Sequence, residues 1–123
     1  MFSVSKEFSI SAAHYIPDHP GKCRRLHGHN YRVRLVASAE RLDELGMVVD
    51  FSELKRVASE ILDRYDHRVL NEIEPFDTTP PTAEAISELV YREASRRLDD
   101  ERVRVSRVEV WENQRSCAVF EPR

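Results

Sequence analysis

Apolar and polar positions alternate from the start of the chain. Phe2, Val4, Phe8, Ile10 and Ala12 share one parity, with Lys6 the exception, and His14 closes the run on that parity. A strand puts such a set on one face, so the pattern predicts a strand over residues 2–14. Residues 15–26 hold Pro17, Asp18, Pro20 and Gly21, which interrupt regular structure. A connection of about a dozen residues is long enough to suggest function. His27, His29, Tyr31, Val33, Leu35 and Ala37 then share a parity, with Arg32 and Arg34 on the other. They predict a second strand, over 29–39, antiparallel to the first.

The period changes after residue 50. Phe51, Leu54, Val57, Ala58, Ile61, Leu62 and Tyr65 recur at intervals of three and four, which predicts an amphipathic helix over 51–65. Asp50 is its N-cap and Glu53 makes the first turn acidic. Pro75, Pro80 and Pro81 mark a loop. Thr82 caps a second helix over 83–98, with Ile86, Leu89, Val90, Ala94 and Leu98 inward. Val103 and Val105 alternate, and so do Val108, Val110 and Glu112. The parity switches between Val105 and Val108, which predicts a bulge near Ser106. Residues 117–121 read as a short final strand. The order ββααββ implies an α+β fold: a four-stranded antiparallel sheet with two helices on one face, in a single domain over 1–123.

Composition narrows the class. Apolar residues make up 41% of the 123 and charged residues 33%, with a net charge of -3. The 19 basic residues are scattered, so no nucleic-acid partner is expected. No apolar run approaches the roughly 18–20 residues that span a bilayer, so no membrane partner is expected either. The opening Met-Phe-Ser-Val-Ser-Lys-Glu has no charged segment followed by an apolar stretch, and a cytoplasmic location is expected. The two cysteines, Cys23 and Cys117, then read as thiols in a reducing compartment. Cys117, in an apolar strand, is expected to be a small buried hydrophobe.

Histidine spacing brings in chemistry. His27 and His29 are two apart on a strand, so their Cα atoms lie roughly 6.6 Å apart and their side chains leave the same face. Two imidazoles so placed can converge on one ion, and His14 can add a third from the facing strand. Three protein ligands leave a fourth position open, as in catalytic zinc sites. Imidazole also suits copper, iron and nickel, and three polar residues at a strand end is the plainer alternative. Gly28 between them is either a close-approach position or a turn residue.

Cys23 lies four residues before His27, among Lys22, Arg24 and Arg25. The thiolate is the reactive form and cations favour it. A fourth zinc ligand, a general base beside an open site and a plain loop cysteine all fit its spacing. Asp66 and His67 follow the first helix; the carboxylate can orient the ring, or the pair can simply end the helix. His19, in the Pro/Gly loop, has no evident partner and is expected to be solvated. Glu109 and Glu112 fall on opposite faces of one strand. Glu112, on the apolar side, suits a guanidine-like edge with paired N–H donors, or is a surface residue at a fraying end.

The run Cys23-Arg24-Arg25-Leu26-His27-Gly28-His29-Asn30-Tyr31 resembles the C-x3-H-G-H motif of the 6-pyruvoyltetrahydropterin synthase family. Ser11-Ala12-Ala13-His14 resembles that family's first zinc-ligand segment, and Val49-Asp50-Phe51-Ser52-Glu53-Leu54-Lys55 its first helix start. Tyr65-Asp66-His67 with Leu70-Asn71, Pro81-Thr82-Ala83-Glu84 and Val110-Trp111-Glu112 resemble, in order, its catalytic Asp-His segment, its second helix start and its pterin-anchoring strand. The resemblance implies the tunnelling fold, in which subunits join their sheets into a barrel. It also implies a homohexamer built as a dimer of trimers, with active sites at subunit interfaces.

The resemblance implies a role for each site residue. His14, His27 and His29 would be zinc ligands and Cys23 the catalytic base. Asp66 and His67 would assist Cys23, Glu112 would hold the pterin edge, and Thr82 would contribute to substrate binding. It implies a zinc-dependent lyase acting on 7,8-dihydroneopterin triphosphate, and the three residues between Cys23 and His27 match the family's bacterial 6-carboxy branch. The expected products are 6-carboxy-5,6,7,8-tetrahydropterin, acetaldehyde and triphosphate, on the route to queuosine. The 6-pyruvoyl branch carries a longer insertion at this point and eliminates triphosphate only; a third branch replaces the Cys with Glu and cleaves as an aldolase. A non-catalytic pterin- or metal-binding relative is the remaining alternative. Lys22, Arg24 and Arg25 either face the triphosphate or are a solvated loop.

Overall fold

Alternation carries β1 (Phe2–His14) and β2 (His27–Ala39) through 13 residues each, in a computed structural model that describes residues 1–123. The two strands pair antiparallel along their whole length, from Phe2 with Ala39 to His14 with His27. On β2 every residue of the His27 parity from Tyr31 to Ala37 is buried. Val33 and Leu35 are at most 1% exposed, whereas Arg32 and Arg34 face the other side.

Helix α1 (Phe51–Leu62) starts where the Asp50 carboxylate accepts the Ser52 N–H at 2.8 Å. That satisfies one of the first-turn donors a helix leaves unpaired. Leu54, Val57, Ala58, Ile61 and Leu62 are buried, while Phe51 at the first turn is half exposed. The helix ends three residues short of the expected 65. Tyr65 is buried in the turn that follows, its ring beside Phe76, so the apolar period outlasts the helix.

Helix α2 (Ala83–Leu98) has the expected bounds, with the Thr82 hydroxyl accepting the Ala85 N–H at 3.1 Å. Both helices pack on the same face of the sheet and close a core that includes Leu35, Leu54, Val90 and Val110.

The sheet has five strands, not four, in the order β3-β1-β2-β4-β5, and it is mixed. The extra strand, β3 (Arg68–Val69), runs parallel to β1 beside Ala12 and Ala13. Two residues carry no readable period, and β3 forms because the preceding turn docks on Ser11. Strand β4 (Arg104–Trp111) pairs antiparallel with β2, and β5 (Cys117–Phe120) pairs antiparallel with β4. The bulge falls at the expected place: Arg107 pairs with Val36 and Val105 with Ala37, so Ser106 has no register partner. Both Val105 and Val108 are thereby buried despite their opposite parity.

Cys117 is exposed, contrary to the expectation of a buried thiol. It lies on edge strand β5 and shares its parity with Val119, which is also exposed; the helices cover the opposite parity. No helix is long and apolar enough to cross a membrane.

Candidate metal centre and active site

The end of β1, the start of β2, the end of β4 and the lead-in to α2 meet at one corner of the sheet. His14 and His27 are register partners there, and His29 is one inward-facing position further along β2. The three rings stand edge to face, with centroids 4.6 Å apart for His14 and His27, 5.0 Å for His14 and His29, and 4.9 Å for His27 and His29. One ring nitrogen from each lies within 4.8 Å of the others.

Backbone carbonyls fix two of the rings. Nδ1 of His14 meets the Pro81 carbonyl at 2.7 Å, and Nδ1 of His27 meets that of Arg25 at 2.7 Å. A carbonyl accepts only, so each Nδ1 carries the proton and each Nε2 keeps its lone pair. Nε2 of His29 is buried and has no hydrogen-bond partner, with the Glu112 carboxylate 3.9 Å away. Buried polar atoms are seldom left unpaired. An orphaned imidazole nitrogen among two carbonyl-oriented imidazoles is the donor set a zinc-like ion takes, with the outer nitrogen of a ligand histidine held by an acceptor. The three residues fit the metal that the resemblance implies.

Electrostatics agree with that reading. Burial is the leading cause that holds His14 below the ordinary imidazole range, and the neighbouring His27 and His29 push the same way. His29 is lowered too, again chiefly by burial, with Glu112 opposing. Neutral imidazole is the ligating form.

Tyr31 lies under the cluster. It is fully buried, and its hydroxyl is 3.1 Å from Nδ1 and 3.3 Å from Nε2 of His14. Its phenol is raised well above the ordinary value, first by burial and then by Glu112. In the sequence Tyr31 simply shares the parity of His27 and His29, as an ordinary core tyrosine would. Asn71 is a second support. Its side-chain amide donates to the Tyr15 carbonyl at 2.9 Å and accepts the Tyr15 N–H at 3.0 Å, fixing the residue after His14.

Glu112 follows β4 directly and joins the cluster from the apolar side, as its parity predicts. It also lines a groove of about 250 Å³ with Ala83, Glu84, Cys117, Ala118 and Val119. Thr82 adjoins Pro81 and is committed through its oxygen to capping α2.

Asp66 and His67 lie elsewhere. Asp66 Oδ1 accepts the backbone N–H of Ser11 at 2.9 Å and is 3.0 Å from Nδ1 of His67. These contacts, the Ser11 N–H first, hold the carboxyl below its usual range. The His67 N–H donates to the Ser11 carbonyl at 2.5 Å, and His67 takes a left-handed φ of 60°. Its ring is exposed beside a hollow of about 420 Å³ that Ser11, Ala13, Gly28, Asn30 and Arg68 also line, with His29 at its wall. Ser11, Ala13, Gly28 and Asn30 have the parity opposite to His14, His27 and His29. Gly28 keeps regular register with Ala13, and a side chain there would meet only the Ala12 carbonyl, at 3.6 Å.

Cys23 sits in a 3-10 turn, Lys22–Arg24, exposed on the loop that leads to His27. Its thiol makes no hydrogen bond with Asp66 or His67. One chain therefore brings together His14, His27, His29 and Glu112, and does not join Cys23 to the Asp66–His67 pair. His19 is half-buried, and its Nδ1 accepts the Gly21 N–H at 2.9 Å within the loop.

Comparison with known proteins places this geometry in a family. Residues 3–123 match the family model for 6-pyruvoyl tetrahydropterin synthase. The 6-carboxy-5,6,7,8-tetrahydropterin synthase of Bacillus subtilis is 34% identical over 129 aligned positions, covering 99% of this chain and 86% of that one. The enzyme of that name from Synechocystis is 43% identical over 96 positions, 74% of this chain and 73% of that one. The solved structure of Caenorhabditis elegans 6-pyruvoyl tetrahydropterin synthase superposes with a TM-score of 0.88 at 26% identity, covering 99% of this chain and 96% of that one. The chain belongs to the 6-pyruvoyl tetrahydropterin synthase family. It is an enzyme of that family.

Proposed function

We propose that the chain is a zinc-dependent 6-carboxytetrahydropterin synthase, converting 7,8-dihydroneopterin triphosphate and one water to 6-carboxy-5,6,7,8-tetrahydropterin, acetaldehyde and triphosphate. The observation that carries this is the convergence of His14, His27 and His29 on one corner with Glu112 beside them. The three-residue spacing from Cys23 to His27 and the 6-carboxy names of the relatives favour the 6-carboxy product.

In this reading His14, His27 and His29 hold the zinc, which when bound supplies Lewis-acid polarisation of the substrate's side-chain hydroxyls. Glu112 accepts paired N–H donors from the pterin edge and so orients the ring. The Thr82 hydroxyl hydrogen, unused in the cap, donates to substrate. Cys23 as thiolate moves protons between side chain and ring, and the Asp66-oriented His67 passes them on. The reading places catalysis in the cytoplasm, on the route to queuosine.

Cys23 and His67 then meet through a partner subunit, in a homohexamer made as a dimer of trimers. Two features support assembly. Strand β3 covers only Ala12 and Ala13 of the 13-residue β1, leaving most of its outer edge free, and β5 is the other open edge. Open edges invite strand pairing with another chain.

The test is mass spectrometry of products from 7,8-dihydroneopterin triphosphate with the zinc-loaded protein. Acetaldehyde with the 6-carboxy product is expected. Triphosphate elimination without acetaldehyde would mean the 6-pyruvoyl reaction, which the family model's own name keeps as the second reading. No turnover by zinc-loaded protein would overturn both.

A further inference from the structure

Beyond His14 the chain has left β1, and the first residue outside the strand is held by a side chain. The Asn71 amide donates to the Tyr15 carbonyl at 2.9 Å, and its Oδ1 accepts the Tyr15 N–H at 3.0 Å. No backbone group pairs with Tyr15. The parallel ladder sets Ala12 opposite Arg68 and Ala13 opposite Val69, and the same offset puts Tyr15 opposite Asn71. The backbone there has entered the 3-10 turn Leu70–Glu72 and supplies no further rung. A primary amide carries a donor and an acceptor together, as a peptide unit does. The Asn71 side chain therefore stands in for one more rung of β3.

This clamp reaches the thiol loop. The next N–H along the chain, that of Ile16, donates to the Cys23 carbonyl at 2.7 Å, and the Ile16 carbonyl accepts the His19 N–H at 3.2 Å. No residue of the turn Lys22–Arg24 that carries Cys23 is buried, so backbone hydrogen bonds rather than core packing fix it. His14 is held without Asn71, by pairing with His27 and by the Pro81 carbonyl.

We infer that Asn71 is a positioning residue for the thiol: by clamping Tyr15 it fixes the Ile16 N–H that holds the Cys23 carbonyl, and so sets where Cys23 stands. This rests on reading Cys23 as the catalytic base. Zinc binding is not the quantity that Asn71 controls.

The test uses Asn71→Asp, which is nearly isosteric. It keeps the acceptor for the Tyr15 N–H and puts a carboxylate oxygen against the Tyr15 carbonyl in place of the donor. With 7,8-dihydroneopterin triphosphate, kcat of the zinc-loaded variant should fall by up to about 10²-fold, the cost of a misplaced reacting group. The zinc dissociation constant should stay at the wild-type value. In a Cys23→Ala background the same substitution should cost nothing further, because residues that act as a unit are not additive. A purely structural asparagine would lower both backgrounds alike. Hydrogen exchange of the Ile16 amide gives an arm independent of turnover, and its protection should drop in Asn71→Asp and in Asn71→Ala. Wild-type kcat in Asn71→Asp, an equal loss in the Cys23→Ala background, weakened zinc binding or unchanged Ile16 protection each overturns the role of Asn71 alone. No turnover by the wild type, or full turnover by Cys23→Ala, sinks the reading of Cys23 as base and this inference with it.

Discussion

His14 and His27 are register partners across the β1–β2 ladder, at the end where both strands give way to the Cys23 loop, and their rings meet at 4.6 Å. Two imidazoles so close, with a third beside them, are held by the fold before any ion arrives. Binding to such a site counts fully toward the folded state, because the unfolded chain has no comparable one. Zinc at about a hundred times its dissociation constant should stabilise the protein by about 2.7 kcal/mol. Melting with and without a chelator reads this. Replacing His27 by alanine should abolish the difference; a melting temperature indifferent to zinc in the wild type would remove the site.

The pH dependence follows from burial. His14 and His29 are both lowered from the ordinary 6.5, so below that value the unfolded chain binds protons that the folded chain refuses. Their stabilising contribution is full above about 6.5 and is lost as pH falls from there through their lowered folded values. The metal-free protein should therefore lose up to about 1.4 kcal/mol per pH unit for each group within that window. Zinc occupancy, which needs neutral imidazole, should persist somewhat below pH 6.5 before it is lost. Titration of the His14 and His29 ring protons by NMR, on metal-free protein, checks the direction. Midpoints at or above 6.5 would contradict it.

The histidine corner was legible because parity is strict in a strand. His14, His27 and His29 fall on the buried face by counting alone, and the bulge at Ser106 shows as a break in that count. What was not legible depended on tertiary contact. The two residues of β3 carry no period and join the sheet because Asp66 and His67 grip the backbone of Ser11. The exposure of Cys117 depends on which face of an edge strand the helices cover, and apolar neighbours in sequence do not decide that. The acceptor for His14 is a backbone carbonyl, at Pro81, and carbonyls leave no mark in a sequence.

Cys23 and the histidines separate in their expected phenotypes. The thiol is exposed on a 3-10 turn and is not part of the cluster that His14, His27 and His29 form. Cys23→Ala should keep zinc at wild-type stoichiometry and lose about 10²–10⁴-fold in turnover, the usual contribution of a general base. Metal analysis beside steady-state kinetics separates base from ligand. Lost zinc would make Cys23 a fourth ligand, and full turnover would leave it a plain loop cysteine.

Glu112 faces both the histidine cluster, 3.9 Å from Nε2 of His29, and the groove beside the start of α2. As the pterin anchor it acts through two oxygens that accept parallel N–H donors, which a glutamine amide reproduces at only one position. Glu112→Gln should raise KM and lower kcat/KM by roughly 10²-fold, since hydrogen bonds to charged groups carry ~1.5–3 kcal/mol. Zinc should stay bound. An unchanged KM would remove the anchor role.

The separation of Cys23 from Asp66 and His67 within one chain makes a last prediction about assembly. The pair is tied to Ser11 at the β3 side of the sheet, and its ring opens on the hollow lined by Gly28 and Asn30 rather than on the Cys23 thiol. If a partner completes the site, Cys23→Ala and His67→Ala damage different subunits of the same site. Each variant alone should be nearly inactive. Co-expressed and co-assembled, they should regain activity, because some interfaces then pair an intact thiol with an intact histidine. Random mixing at a two-subunit interface restores about one quarter of the sites. Refolded mixtures assayed beside each parent give the answer, with light scattering to confirm the oligomer. Failure of mixed oligomers to exceed either parent would mean that Cys23 and His67 do not meet across an interface.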